Sequence, residues 1–230
     1  MIATNRGREH RWFNKPMSLA QILRDRARVN TLMFICLTGA FTFSFAQNGG
    51  GTGPLLPIFN GTNLSGWRTP DPNPFWRIEN GVLIGENDAG LTGNVLFTER
   101  SYTNFVLELE ARWSGEIDSG VMLRQPELQL QFGISRSLKK DMTCCFYTGG
   151  KEKYPATGHA RGAEKLLKDA EWNRFRLEAM GDTFIVWLNG QQVASFTNAT
   201  FTGGAPIGLQ IHPKLRMRIE FRNIRAKALE

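Results

Sequence analysis

The chain has 230 residues, of which 41% are hydrophobic and 21% are charged, enough for one globular domain with a core and a short appendage. Its net charge of +7 comes mainly from residues 1–46, which hold seven basic and two acidic residues, whereas residues 47–230 hold 21 basic and 19 acidic residues. This distribution removes most of the support for nucleic-acid binding, and the 24 glycines and 16 phenylalanines favour strands and tight turns over long helices.

The first 46 residues have the pattern of a secretory signal peptide. A basic front precedes the apolar run 31–46, and Ser44 and Ala46 occupy positions −3 and −1 of a cleavage site before Gln47. The run is shorter than a bilayer-spanning helix, although an uncleaved anchor is the alternative, and Met17 is an alternative start. We therefore expect export to the periplasm or the exterior, with membrane contact only through this leader.

The expected mature part contains two cysteines, Cys144 and Cys145. Adjacent cysteines cannot easily form a relaxed disulfide, and the chain has no Cys-x-x-Cys metal spacing. We interpret both as small residues at the end of a strand.

A glycine- and proline-rich linker is predicted at 47–57, followed by one domain over 58–230. The predicted strands are 76–79, 82–85, 95–97, 105–113, 120–124, 127–134, 175–179, 183–188, 192–197, 206–212 and 217–225. Asn-Gly pairs at 80–81 and 189–190 predict two tight hairpins. The strand-poor stretch 135–170 predicts a long loop over one end of the domain. Many short antiparallel strands and few helices predict an all-β jelly-roll sandwich.

Several motifs along the chain resemble the landmarks of a known family. They are FNGTNLSGW at 59–67, WRIENGVLI at 76–84, FVLELEAR at 105–112, DSGVMLR at 118–124, EWN at 171–173, WLNG at 187–190, GLQIH at 208–212 and FRNI at 221–224. In this order they resemble the 3-keto-disaccharide hydrolase domain family over about residues 58–227.

The resemblance implies a concanavalin-like jelly roll of two antiparallel sheets and an exported enzyme that acts on glycosides oxidised at C3. The chain departs from the family pattern at two places. Asp118 stands where asparagine is usual before Ser-Gly. After Gln129 the family shows an apolar pair and then an aspartate, whereas this chain continues Leu130-Gln131-Phe132-Gly133, so it either lacks that aspartate or replaces it with Gln131.

A ketone at C3 acidifies the hydrogen on C2, so cleavage requires a base, a group that stabilises the enolate, and polar groups that hold hydroxyls. We assign Glu110 or His212 as base or metal ligand and Arg124 as the group that stabilises negative charge. Substrate-binding residues are predicted at Glu127, Gln129, Gln131, Trp187 and Gln210, because alternate strand residues share a face and tryptophan can stack on a sugar ring.

Each of these assignments has a structural alternative. Glu110 belongs equally to a solvated face of cross-strand ion pairs, His212 could simply end a strand, and Trp187 could belong to the core. A divalent metal held by Glu110, Glu127 and His212 is left open, because no spacing demands it.

The function predicted from the sequence is therefore cleavage of 3-keto-glycosides by proton abstraction at C2, elimination of the C1 substituent and hydration. The first alternative is a carbohydrate-binding module without catalysis. The second is an interaction domain, which would expose an apolar patch. Both the enzyme and the carbohydrate-binding module would have a carbohydrate as partner.

Overall fold

Fifteen strands form the framework of residues 53–230, the part of the chain that the computed structural model describes. They are β1 (Leu56–Pro57), β2 (Trp67–Arg68), β3 (Trp76–Glu79), β4 (Val82–Glu86), β5 (Asn94–Tyr102), β6 (Phe105–Arg112), β7 (Asp118–Arg124), β8 (Leu128–Ser135), β9 (Lys140–Asp141), β10 (Phe146–Tyr147), β11 (Asn173–Met180), β12 (Thr183–Leu188), β13 (Gln191–Thr197), β14 (Ala205–Ile211) and β15 (Arg218–Ala228). One helix, α1, spans Ala163–Leu166, and one 3-10 turn spans Ala156–Gly158.

The predicted signal peptide lies outside the described residues, as does the first part of the predicted linker. Leu56 and Pro57, at the end of that linker, already pair with Ala226 and Arg225. None of the helices in residues 53–230 is long and apolar enough to cross a membrane.

The strands form two antiparallel sheets, as a jelly-roll sandwich requires. Sheet A has the order β13-β12-β11-β6-β15-β4-β3, with β1 on β15, and sheet B has the order β10-β8-β7-β14-β5-β2, with β9 on β8. Sheet A joins two runs of consecutive strands, β11–β13 and β3–β4, through β6 and β15, which lie side by side between them. The two predicted Asn-Gly hairpins are confirmed as the β3–β4 and β12–β13 connections.

Alternation along the strands places the core between the two sheets. In β6, Phe105, Leu107 and Leu109 point inward and are at most 2% exposed. The apolar residues of β8 and β14 in sheet B belong to the same core cluster. Because successive side chains in a strand point to opposite faces, the polar residues between them lie on the two outer faces of the sandwich.

The predicted long loop is a folded excursion that packs against sheet B and one edge of the sandwich. Phe146 in β10 stacks on Phe196 of sheet A at a ring-centroid distance of 5.2 Å. On the other side of the excursion, Met142, Cys145 and Tyr154 form a separate small apolar cluster. Both cysteines of the described region are buried and free, and burial raises the pKa of each thiol. The excursion therefore packs against the sandwich through Phe146 and also has a small apolar cluster of its own.

The outer face of sheet A carries a network of arginine and glutamate side chains. Glu108 lies at its centre, 5% exposed, and accepts hydrogen bonds from Arg174, Arg176 and Arg225 at 2.7–3.1 Å. Burial raises the pKa of Glu108, but the hydrogen bonds from Arg174 and Arg176 more than offset it, so the net pKa lies below its ordinary value.

This network predicts a pH-dependent contribution to stability. A carboxyl whose pKa is lowered by folding stabilises the fold above its unfolded pKa, and the contribution is lost as the pH falls through its folded pKa. We expect Glu108→Gln to be less stable than the wild type at pH 7. The difference should shrink as the pH falls below about 4.3, the ordinary glutamate pKa. Urea midpoints measured at pH 7 and at lower pH test this; a constant difference would contradict it.

Candidate functional site

The outer face of sheet B carries a cluster of polar side chains, which we call the polar row. It consists of Asp118 on β7, Gln129 and Gln131 on β8, Gln210 on β14, and His212 directly after β14. The register brings these strands together, because Gly120 of β7 lies opposite Gln131 on one side and Gln210 on the other. Leu128, Leu130 and Phe132, which alternate with the two glutamines of β8, belong to the core.

Amide hydrogen bonds fix the orientation of the polar row. Gln129 Nε2 donates to Gln131 Oε1 and to Gln210 Oε1, both at 3.0 Å. Gln131 Oε1 also accepts from the Tyr154 hydroxyl at 3.1 Å, so Gln131 Nε2 is turned toward Asp118 and donates to Oδ1 at 2.8 Å. Gln129 and Gln131 are almost fully buried, whereas Gln210 is half-buried, so the row opens to solvent at Gln210.

Gly120 makes this packing possible. A Cβ atom at position 120 would lie 2.4 Å from Gln129 Nε2 and 2.4 Å from the Leu130 carbonyl oxygen. Any side chain there would push the Gln129 amide away from its partners. The glycine therefore lets two adjacent strands hold their polar groups in one layer.

Asp118 and His212 form a pair at the open end of the polar row. Asp118 Oδ2 lies 3.9 Å from His212 Nε2 and accepts a hydrogen bond from the Arg136 backbone N–H at 2.9 Å. His212 Nδ1 lies 2.8 Å from the Pro213 carbonyl oxygen. A hydrogen on Nδ1 satisfies that carbonyl and leaves Nε2 able to accept a proton. The His212 side chain is 33% exposed, so Nε2 is accessible to a ligand.

Two tyrosines of the excursion cover the buried end of the row. Tyr154 contacts Gln131, and its ring meets that of Tyr147 edge-on at a centroid distance of 5.3 Å. Burial raises the pKa of Tyr154 to about 12, so its hydroxyl remains a donor at neutral pH. Burial also raises the pKa of Tyr147, and the negative charges of Glu127 and Asp118 add to this effect.

Glu110 is not part of this cluster, which corrects the sequence assignment. It lies on the outer face of sheet A, on the opposite side of the sandwich from His212, and pairs with Arg222 at 2.6 Å. Alternation is the reason, because Leu109 and Ala111 take the inward positions of β6. The alternative interpretation of Glu110 as a member of a cross-strand ion-pair face agrees with the structure.

This position predicts a near-neutral substitution. We expect Glu110→Gln to leave ligand binding at the polar row within about twofold of the wild type and to lower stability by less than about 1 kcal/mol, since partly exposed ion pairs contribute little. Ligand affinity and thermal midpoint measured on one preparation test this. A loss of binding with an unchanged midpoint would restore Glu110 to the site.

Arg124 is also misplaced by the sequence assignment. A register shift between Met122 and Arg124 in β7 turns its side chain into the interior, where it is 1% exposed. Its guanidinium donates to the carbonyl oxygens of Phe201 and Thr103. Burial lowers its pKa to about 10, which leaves it charged at neutral pH. Arg124 therefore links β7 to the backbone at Thr103 and Phe201 and does not reach the polar row.

The remaining two sequence assignments lie away from the polar row. Trp187 lies on the outer face of sheet A, with the Arg176 guanidinium 5.7 Å from its ring centroid, so it does not face ligands held by sheet B. Glu127 is exposed in the β7–β8 turn, next to Gly149. The metal ligand set of Glu110, Glu127 and His212 is therefore not assembled. No group of three or more histidine, cysteine or acidic side chains suited to a metal occurs in residues 53–230.

The polar row brings together four residues assigned from the sequence, namely Gln129, Gln131, Gln210 and His212. Asp118, Tyr147 and Tyr154 were not among those assignments. Strand alternation could have found Asp118, because it shares a face with Gly120 and directly precedes Ser119-Gly120. The two tyrosines reach the site through the folding of the excursion, and no periodic pattern in the sequence marks them.

Comparisons with known proteins agree with this fold. A model of the 3-keto-alpha-glucoside-1,2-lyase-like domain family matches residues 55–227. A Parabacteroides distasonis protein described as a candidate glycosyl hydrolase is 20% identical and has a TM-score of 0.58, covering 76% of this chain and 94% of its own. A Bacillus subtilis protein of unknown function with a galectin-like fold is 12% identical and has a TM-score of 0.57, covering 79% of this chain and 99% of its own. The search of curated proteins found no significant match.

Proposed function

Because the chain belongs to the 3-keto-alpha-glucoside-1,2-lyase-like domain family, we propose that it cleaves 3-keto-glycosides at the polar row. The observation that carries this proposal is the accessible His212 Nε2 beside the buried carboxylate of Asp118. A base paired with a carboxylate suits proton abstraction next to a ketone. The arrangement differs from ordinary glycosidases, in which two carboxyl groups flank the glycosidic bond.

In the first step of the proposed reaction, His212 Nε2 takes the proton from C2 of the 3-keto sugar. The electrons of the C–H bond move toward the C3 carbonyl and form an enolate. Asp118 stabilises the imidazolium that forms, because its charge lies close to Nε2 in a poorly solvated place.

In the second step the enolate re-forms the ketone and expels the C1 substituent, which takes the proton held on His212 Nε2 and leaves as an alcohol, so that His212 is again neutral. The product is unsaturated between C1 and C2. Water then adds its oxygen to C1 and its hydrogen to C2, which gives the free 3-keto sugar. All atoms are accounted for by the glycoside and one water molecule.

The glutamines of the row position the sugar in this proposal. Gln210 Nε2 forms no hydrogen bond with another described residue, and Gln210 is the half-buried member of the three glutamines, so this amide is available to donate to a sugar hydroxyl or to the carbonyl oxygen. Its partner inside the row, Gln129, holds the other half of the amide in place. Fixed donors and acceptors of this kind contribute more than mobile ones, because they need not reorganise during the reaction.

Release of a chromogenic aglycone tests the proposal. The purified chain is incubated with a 4-nitrophenyl 3-keto-glucoside and, as matched control, with the same glucoside unoxidised at C3. We expect release only from the keto compound, since only its C2 hydrogen is acidified. If neither compound is cleaved but calorimetry detects sugar binding, the chain is a carbohydrate-binding module. Equal cleavage of both compounds would overturn the C2 mechanism.

The interaction-domain alternative gains little support from the described surface. Leu56 and Leu138 are the large apolar side chains that residues 53–230 expose, at 60% and 50%. Leu56 lies on β1 at sheet A, whereas Leu138 lies between β8 and β9 of sheet B. Two scattered exposed leucines are normal for a folded domain and do not make a docking patch.

We also propose that the protein acts after export, on the basis of the basic and apolar pattern of residues 1–46. Mass spectrometry of the protein recovered from the periplasm or medium tests this. An N-terminus at Gln47 supports export with cleavage, and an intact leader on cytoplasmic protein contradicts it.

A further inference from the structure

A groove lies beyond the buried end of the polar row, separate from the Asp118–His212 pair. Its volume is about 510 Å³, within the usual range of small-molecule sites. Three loops line it: the β7–β8 turn with Glu127, the segment after β10 with Thr148 and Gly149, and the β13–β14 loop with Asn198 and Thr200. Because the walls come from three separate parts of the chain, the groove is a product of the tertiary fold.

The groove presents hydrogen-bonding groups that are not used within the protein. Glu127 forms no ion pair or hydrogen bond with another described residue, and its carboxylate packs against the backbone at Gly149. Gly149 permits this contact, because a Cβ there would lie 2.6 Å from Glu127 Oε2. Asn198 uses its Oδ1 to accept from the Thr200 N–H, which leaves its Nδ2 as a donor. A carboxylate acceptor and an amide donor that line the same groove suit the hydroxyl groups of a sugar.

The groove and the polar row lie along the same strand. Glu127 directly precedes β8, and Gln131 lies four residues further on, so about 13 Å separates them at the usual strand rise. Tyr147 connects the two places, because it pairs with Gln129 and its pKa is affected by the charges of both Glu127 and Asp118. A substituent that begins at Gln131 in the polar row must extend about 13 Å to reach Glu127, which a 4-nitrophenyl group does not span and a chain of sugars does.

We propose that the groove binds the distal sugars of the leaving group, so that the preferred substrates are 3-keto-glycosides whose C1 substituent is an oligosaccharide. This inference rests on the proposed function for the reacting ring. Binding energy gained in the groove anchors the substrate far from the reacting atoms, which aligns C2 with His212 Nε2. Glu127 then binds substrate, although it lies outside the polar row.

Substitution of Thr200 by tryptophan tests the proposal, because residue 200 is exposed at the groove and a large ring there would fill it. The matched control is Thr69→Trp, which changes another exposed threonine, after β2 at the opposite edge of sheet B. The readout is the ratio of kcat/KM for glucotetraose 3-keto-derivatives, oxidised on the non-reducing ring, to kcat/KM for the 4-nitrophenyl 3-keto-glucoside. We expect Thr200→Trp to lower this ratio about tenfold, as loss of about 1.4 kcal/mol of remote binding would do. An unchanged ratio overturns the proposal.

Calorimetry separates failure of the groove from failure of the reaction. The wild type is titrated with unoxidised maltotetraose, cellotetraose and laminaritetraose, which need no chemistry at C2. Binding of one of them that is lost in Thr200→Trp and retained in Thr69→Trp supports the groove even when no keto-glycoside is cleaved. Binding of none of the three, or binding that Thr200→Trp leaves intact, overturns it.

Discussion

Replacement of His212 by glutamine is expected to lower kcat/KM for 3-keto-glycosides by about 10²–10⁴, the usual contribution of a general base. Glutamine keeps a polar side chain of similar reach but cannot accept the C2 proton. The partly exposed imidazole makes few contacts beyond Asp118 and the Pro213 carbonyl, so we expect little change in the thermal midpoint. Steady-state kinetics on folded protein measure the effect.

Two further variants make this result specific. Asp118→Asn should lower kcat more than it raises KM, because it removes the charge that stabilises the imidazolium. Both Asp118 oxygens accept hydrogen bonds, from Gln131 Nε2 and from the Arg136 N–H, so asparagine loses one of them and the thermal midpoint should fall as well. His159→Gln is the matched histidine control, since the His159 ring contacts the Tyr154 carbonyl and does not reach Asp118. Equal activity of His212→Gln and His159→Gln would remove His212 from the reaction.

Replacement of Arg124 by methionine is expected to cost about 3 kcal/mol of stability, because carbonyl oxygens in the interior lose their donor. For a domain of this size, this corresponds to a fall in the thermal midpoint of about 6–12 °C. The folded fraction should keep its kcat, since Arg124 does not reach the polar row. Thermal unfolding and kcat measured at low temperature separate the two roles.

Arg216→Met is the control for this substitution, because Arg216 is exposed and forms no ion pair with another described residue. Its midpoint should stay within about 1–2 °C of the wild type, as is usual for surface changes. A large fall in kcat for Arg124→Met with an unchanged midpoint would return Arg124 to the catalytic role assigned from the sequence.

Much of the fold could be predicted because strands and tight turns are marked by residues that are close together in sequence. The pattern of β6 identifies its core face, and each Asn-Gly pair identifies a hairpin. Gln129 and Gln131 could be grouped on one face for the same reason, since period two relates residues within a strand. The family motifs added the sandwich architecture, which matches the two observed sheets.

The sequence did not reveal which sheet each strand joins, so residues that it assigned to one site lie apart in the structure. Glu110 and His212 lie on different sheets, and no local pattern reveals that β6 and β14 are separated in this way. Arg124 was misplaced for another reason, because a register shift in β7 breaks the period-two rule at that residue. Tyr154 was missed because it reaches Gln131 across 23 positions of chain, through the packing of the excursion.

Proton abstraction from C2 is the central claim, and deuterium incorporation tests it most directly. The protein is incubated with a 3-keto-glucoside in D₂O, with the free 3-keto-glucose as a control for uncatalysed exchange, and C2 of the product is followed by NMR. The account predicts deuterium at C2 of the newly released sugar, with incorporation faster than in the control and lost in His212→Gln. Aglycone release with the original hydrogen fully retained at C2 would contradict it.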